Sequence, residues 1–155
     1  MLIITTRIFL PMIVLGAVGK GIGSEVPLAL VVEKYRPERL YVVVTASAAH
    51  RFSDFLAYVD GLLDTEKIKC VQVSNPDDPV KTFEEILVGC KSADIVDITS
   101  GTKAMASALF LFAVSVKARV TYVSGERDPA TGRVLTGTER VLEYDTAGLL
   151  EKVLR

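Results

Sequence analysis

Apolar positions fall in five short, nearly continuous runs: Ile13–Val18, Leu40–Thr45, Ile68–Val73, Ile95–Thr99 and Val120–Val123. Runs of this length without polar alternation read as strands buried on both faces, as in a parallel sheet covered by helices. Between them the pattern changes to helical spacing over Ser24–Tyr35, Arg51–Leu63, Val80–Cys90 and Thr102–Lys117. Strand and helix alternating at this interval predict an α/β fold, Rossmann-like and doubly wound, with a mostly parallel sheet and helices on both faces. After Val123 the stretch from Gly125 to Arg133 is turn-rich with strand material on either side, which predicts a C-terminal hairpin. A short helix is expected over Thr146–Arg155. The chain carries no internal repeat, low-complexity tract or linker, so residues 1–155 read as a single domain.

The N-terminus needs a separate reading. Met1 to Val18 is very apolar, but Arg7 and Pro11 interrupt it, Gly16 breaks it, and it falls short of the ~20 clean apolar residues of a membrane span. Residues 1–11 are expected to be an N-terminal extension, with Met12 as an alternative start, or an extra strand. A soluble, cytoplasmic protein is expected, with no membrane partner. Composition agrees, at 50% hydrophobic and 24% charged residues. A formal net charge of −1 gives no general attraction to duplex nucleic acid, so any nucleotide must be held by local charge. Cys70 and Cys90 match no zinc or redox spacing and are expected as buried thiols. His50 is the one histidine, which argues against a His-rich metal site; no metal is expected.

Chemistry concentrates in Asp97-Ile98-Thr99-Ser100-Gly101-Thr102-Lys103. A strand that ends in small hydroxyl residues and glycine and then opens a helix builds an anion site from backbone alone. Helix N-terminal N–H groups point at the ligand, and the macrodipole favours negative charge. Thr99, Ser100 and Thr102 add hydroxyls, Gly101 allows close approach, and Lys103 adds a full charge. A cation in the first turn opposes the macrodipole, so Lys103 is better explained by an anion than by helix stability. A second cluster, Gly19, Lys20, Gly21 and Gly23 with Ser24, follows the first strand. It fits neither G-x-G-x-x-G nor a P-loop, and no acidic residue marks the end of the second strand, where Thr45-Ala46-Ser47 stands. No dinucleotide, and no other cofactor, is expected. If the first and fourth strands are neighbours, these two loops lie side by side.

The plainer readings stay open beside these. The glycines serve equally well for a tight turn. Ser24 and Thr102 suit ordinary helix N-caps. Met105, Phe110 and Phe112 read as core, His50 as a surface or cap residue, and Asp77, Asp78, Glu84 and Glu85 as a solvated face.

Thr99-Ser100-Gly101-Thr102-Lys103 followed by Ala104-Met105-Ala106 resembles the Gly-Thr-Lys-x-Met element after the fourth strand of CRISPR-associated Rossmann-like (CARF) domains. The resemblance runs from Met12 to about Tyr144. It takes in the glycine loop, Thr45-Ala46-Ser47, and Tyr122-Val123-Ser124-Gly125 before the hairpin. The chain departs from that family at Ser100, where glycine is common, and at Asp97, where asparagine is frequent. The resemblance implies a homodimer that binds a cyclic oligoadenylate messenger, cyclic tetra-adenylate first among them, across its two-fold axis in type III CRISPR defence. Gly19, Lys20, Gly21, Gly23, Thr45, Ser47, Thr99, Gly101 and Thr102 would contact the ligand. In a ring nuclease, Lys103 would stabilise the phosphorane, and Ser24 or Ser100 would orient the attacking or leaving oxygen. The alternatives are a non-catalytic sensor or sequestering module acting with a separate effector protein, and a nucleotide-binding metabolic or regulatory protein on a related fold. The Arg-x4–6-His signature of the ribonuclease domain often attached in that family is absent.

Overall fold

The computed structural model describes residues 11–155, the side chain of Leu150 excepted. Six strands form one sheet in the order β3-β2-β1-β4-β5-β6. They are β1 (Ile13–Ala17), β2 (Arg39–Val44), β3 (Ile68–Gln72), β4 (Ile95–Asp97), β5 (Arg119–Ser124) and β6 (Arg140–Asp145). The first five pair in parallel, while β6 runs antiparallel to β5 from Arg119↔Asp145 to Ser124↔Arg140. Helices α1 (Val26–Tyr35), α2 (Ala49–Val59), α3 (Pro79–Gly89) and α4 (Lys103–Val116) connect the parallel strands, and α5 (Leu149–Leu154) follows β6. The expected extension or extra strand over 1–11 lies, apart from Pro11, outside the described residues.

Two cores confirm the doubly wound reading. Leu15, Val43 and Val96 face one way and pack under α3 and α4 with Ile86, Met105, Leu109 and Phe112. Val14, Val42 and Ile95 face the other way and pack under α1 and α2 with Leu28, Val32 and Phe55. Neighbours along a strand thus point into opposite cores, which is why the strand runs show no polar alternation. Helix α4 buries Met105, Ala108, Leu109, Phe112 and Ala113, spaced at three, one, three and one as a helix face requires. Among the described residues no helix is long and apolar enough to cross a membrane.

Several expectations need correction. Phe110 is not core: it is 39% exposed, one face round from buried Phe112. Cys90 is buried but Cys70 is exposed on edge strand β3. Ser24 does not cap α1, whose N-cap is Glu25 without a side-chain bond. Two of the acidic residues are engaged locally. Asp78 caps α3 by accepting from the Val80 and Lys81 N–H groups, and Glu85 accepts from the Ser74 N–H and hydroxyl.

Sheet order reverses between β1 and β4, so the helices that follow them leave on opposite faces of the sheet and a crevice opens between them at the switch point. In the floor lies Asp97, fully buried at the end of β4. Its Oδ1 accepts from the hydroxyls of Thr99 (2.9 Å) and Thr121 (3.0 Å), and its Oδ2 from the Thr99 N–H (3.4 Å). Thr99 Oγ1 in turn accepts from the Val123 N–H at 2.8 Å. Burial drives the Asp97 carboxyl up to about 6, and the bonds from Thr99 and Thr121 only partly offset it. Above it the two loops approach so closely that a Cβ on Gly19 would lie 2.8 Å from Ser24 Oγ and 3.1 Å from the Gly101 backbone.

Two outcomes follow from these contacts. A folded-state pKa near 6, above the unfolded carboxylate value, means the folded form holds the proton more tightly. That stabilisation is present at acid pH and lost as pH rises through about 6. Denaturant unfolding at pH 4.5 and 7.5 should therefore show wild type losing stability relative to Asp97→Asn, by about 2 kcal/mol. Parallel behaviour of the two proteins would contradict this. Gly19→Ala should lower the thermal midpoint by about 2–8 °C through overpacking. Gly21→Ala, whose added methyl meets nothing within 4 Å, should leave the midpoint unchanged. Equal shifts would refute the close approach.

Candidate functional site

The loop after β4 is built by short-range bonds that its sequence of small polar residues makes available. Thr102 is the N-cap of α4: its Oγ1 accepts from the Met105 N–H at 3.1 Å and donates to the Pro76 carbonyl of the β3–α3 loop. Gly101 takes φ +98°, a conformation open to glycine, and turns the chain from strand into helix. Ser100 is buried, and its hydroxyl donates to the Ser24 carbonyl at 2.8 Å. Ser24 Oγ accepts from the Gly19 N–H at 2.7 Å. Ser24 and Ser100 thus stitch the glycine loop to the Thr99–Lys103 loop.

These bonds leave a distinct set of donors. The N–H groups of Gly101, Lys103 and Ala104 have no protein acceptor among the described residues. Those of Lys20, Gly21, Ile22 and Gly23 have none either. The Lys103 side chain is exposed at the first position of α4 and has no carboxylate partner among the described residues. Backbone donors, a helix N-terminus and one unpaired cation together suit a phosphate group.

Sequence-expected residues divide by position. Gly19, Lys20, Gly21, Gly23 and Ser24 after β1 lie beside Thr99, Ser100, Gly101, Thr102 and Lys103 after β4, as expected from strand adjacency. Thr45 and Ser47 follow β2, on the other side of β1, with their hydroxyls 3.0 Å from each other. They share the same sheet end without lining the same cavity. His50 is exposed in the first turn of α2.

One part of the site went unassigned in the sequence. An arm folds after β5, with Arg127 bridging Val134 and the Leu135 N–H donating to the Glu126 carbonyl at 2.7 Å. Between this arm and the two loops is an open cleft of about 440 Å³. It is lined by Ile22–Ser24, Val26, Pro27, Thr99 and Ser100 on one side, and by Tyr122, Val123, Arg127, Arg133, Val134, Thr136 and Glu139 on the other. The turn-rich Gly125–Arg133 stretch predicts the hairpin. Two arginines at its tip were the available signal that the hairpin borders a ligand.

No family model matches the chain, and no curated protein matches it in sequence. Solved structures do match its fold. Can2 from Sulfobacillus thermosulfidooxidans in complex with cyclic tetra-adenylate superposes with a TM-score of 0.61 at 22% identity, over 78% of this chain and 35% of that one. Enterococcus italicus Csm6 bound to cyclic hexa-2′-fluoro-hexa-dAMP gives 0.63 at 17% identity, over 94% of this chain and 44% of that one. Protein VC1899 from Vibrio cholerae gives 0.54 at 7% identity, over 73% and 30%. This chain spans less than half the length of each. At these identities the likeness speaks for the fold alone. The chain has a CARF-like fold.

Proposed function

We propose that this chain binds a cyclic oligoadenylate messenger, cyclic tetra-adenylate first among them, as a two-fold symmetric homodimer. The observation that carries the reading is the set of unpartnered N–H groups with Lys103 at the switch point. It sits in a fold shared with two solved proteins that hold ligands of this class. A ring with even rotational symmetry presents the same face to two subunits, so one modest patch is used twice. That suits a chain of net charge −1, in which local donors and not a basic surface must hold the phosphates.

A second reading, slow cleavage of the ring, rests on Lys103. A ribose 2′-oxygen attacks the adjacent phosphorus, the bond from phosphorus to the 5′-oxygen breaks, and the proton leaves with that oxygen. The product is linear, with a 2′,3′-cyclic phosphate end. Lys103 would stabilise the charge on the phosphorane, and the loops would hold the nucleotide in line. The Ser24 O–H stays free to donate while its Oγ accepts from the Gly19 N–H, whereas the Ser100 O–H would have to release the Ser24 carbonyl before it could donate to an oxygen. The same bonds favour a module that binds the ring intact and acts through a separate effector protein.

Titration calorimetry with cyclic tetra-adenylate in chelator, followed by separation of products over time, tests both readings. Wild type should bind, and Lys103→Ala should weaken binding about 10- to 100-fold, the loss expected for a charge-assisted contact. Linear product from wild type and not from Lys103→Ala would support the ring nuclease; intact ring throughout would leave the binding module. Equal affinity of both proteins would remove Lys103 from the site. Absence of binding to tetra- and hexa-adenylate rings alike would overturn the proposal.

A further inference from the structure

We infer that the cleft beneath the arm is an adenine pocket in which Glu139 reads the exocyclic amino group. This rests on the cyclic oligoadenylate reading and specifies how the base is chosen.

The cleft borders the anion loops directly, since Ser24, Thr99 and Ser100 line both. A nucleotide whose phosphate rests on the Gly101–Ala104 donors therefore has this cavity next to it. Part of its wall is apolar, beside the polar Arg127, Arg133 and Thr136. Ile22 is 73% exposed, Tyr122 40% and Val134 39%, and each borders the opening, with Val26 and Pro27 behind. Apolar side chains held open to solvent around a concave surface gain by covering a flat aromatic ligand. About 440 Å³ accommodates one base and part of its sugar.

Among these walls Glu139 is half-buried and already oriented. One carboxylate oxygen, Oε2, accepts from the Gly137 N–H at 2.8 Å. Its other oxygen has no partner among the described residues, and no Lys or Arg there pairs with the group. A fixed acceptor at the rim of a base-sized cleft selects a base edge that donates. Adenine offers its N6 amino group, whereas hypoxanthine and guanine present a carbonyl oxygen at the equivalent position, which a carboxylate repels.

The test compares cyclic tetra-adenylate with cyclic tetra-inosinate, which carries a carbonyl in place of that amino group and a proton on N1, on wild type, Glu139→Gln and Val134→Trp. Wild type should prefer the adenylate ring about 10-fold or more. In Glu139→Gln the amide oxygen can keep the Gly137 N–H, so the arm is retained and the amide NH2 faces the base. The preference should then fall about 10-fold, to parity or reversal. Val134→Trp fills the cleft and should weaken the adenylate ring about 10-fold or more. Equal wild-type affinity for the two rings, undiminished selectivity in Glu139→Gln, or full affinity in Val134→Trp would overturn the pocket while leaving messenger binding in place. Failure of wild type to bind either ring would remove the messenger reading and this inference with it.

Discussion

A single carboxylate in the floor of the crevice organises what lies above it. Asp97 ends β4 without a cation to balance it, and its stability there depends on donors supplied by Thr99 and Thr121. Thr99 passes the constraint on by accepting the Val123 N–H, so the turn after β4 is bound to the last residues of β5. The glycine loop is then tied to the same turn through Ser100 and Ser24. Breaking the first link would loosen all three. A desolvated carboxylate is an expensive anchor, but its acceptor oxygens fix several donors at once, and the rigidity is delivered directly under the proposed ligand.

Side-chain hydroxyls in this site hold loops to one another, and backbone N–H groups face outward. That division has a functional sense. Backbone donors are fixed in place and need no side-chain ordering when a phosphate arrives, so less entropy is lost on binding. Lys103 contributes charge from the first position of α4, where it opposes the helix dipole and has no carboxylate to satisfy it. The arm supplies a different set: apolar walls, a phenol and one oriented carboxylate that suit a base, with Arg127 and Arg133 beside them.

Most of the framework was legible in the sequence because burial on both faces writes a simple signal. Strands Ile13–Ala17, Arg39–Val44 and Ile68–Gln72 agree with the apolar runs to within a residue at each end. The fourth run extends to Thr99, but β4 ends at Asp97, because Thr99 bends to donate back to that carboxylate. Helix α2 begins two residues earlier and ends four residues earlier than its pattern, since Leu62 and Leu63 follow in a turn whose N–H groups bond Val59. The anion loop was legible from residue type and setting alone. The arm's part in the site was not, because Arg133, Val134 and Glu139 meet the glycine loop only through tertiary folding, more than a hundred residues from Ile22. Ser24 also reads as a cap in one dimension; its bond to the Gly19 N–H becomes visible only when the loop closes on itself.

Amide chemical-shift mapping on the 15N-labelled protein during titration with cyclic tetra-adenylate in chelator reports on the backbone donors one by one. Phosphate binding at the free donors should give the largest shifts at Lys20–Gly23 and at Gly101, Lys103 and Ala104, whose N–H groups have no protein acceptor among the described residues. Smaller shifts should extend along the arm from Arg133 to Glu139. Saturable binding with those amides unmoved and shifts elsewhere on the surface would contradict it.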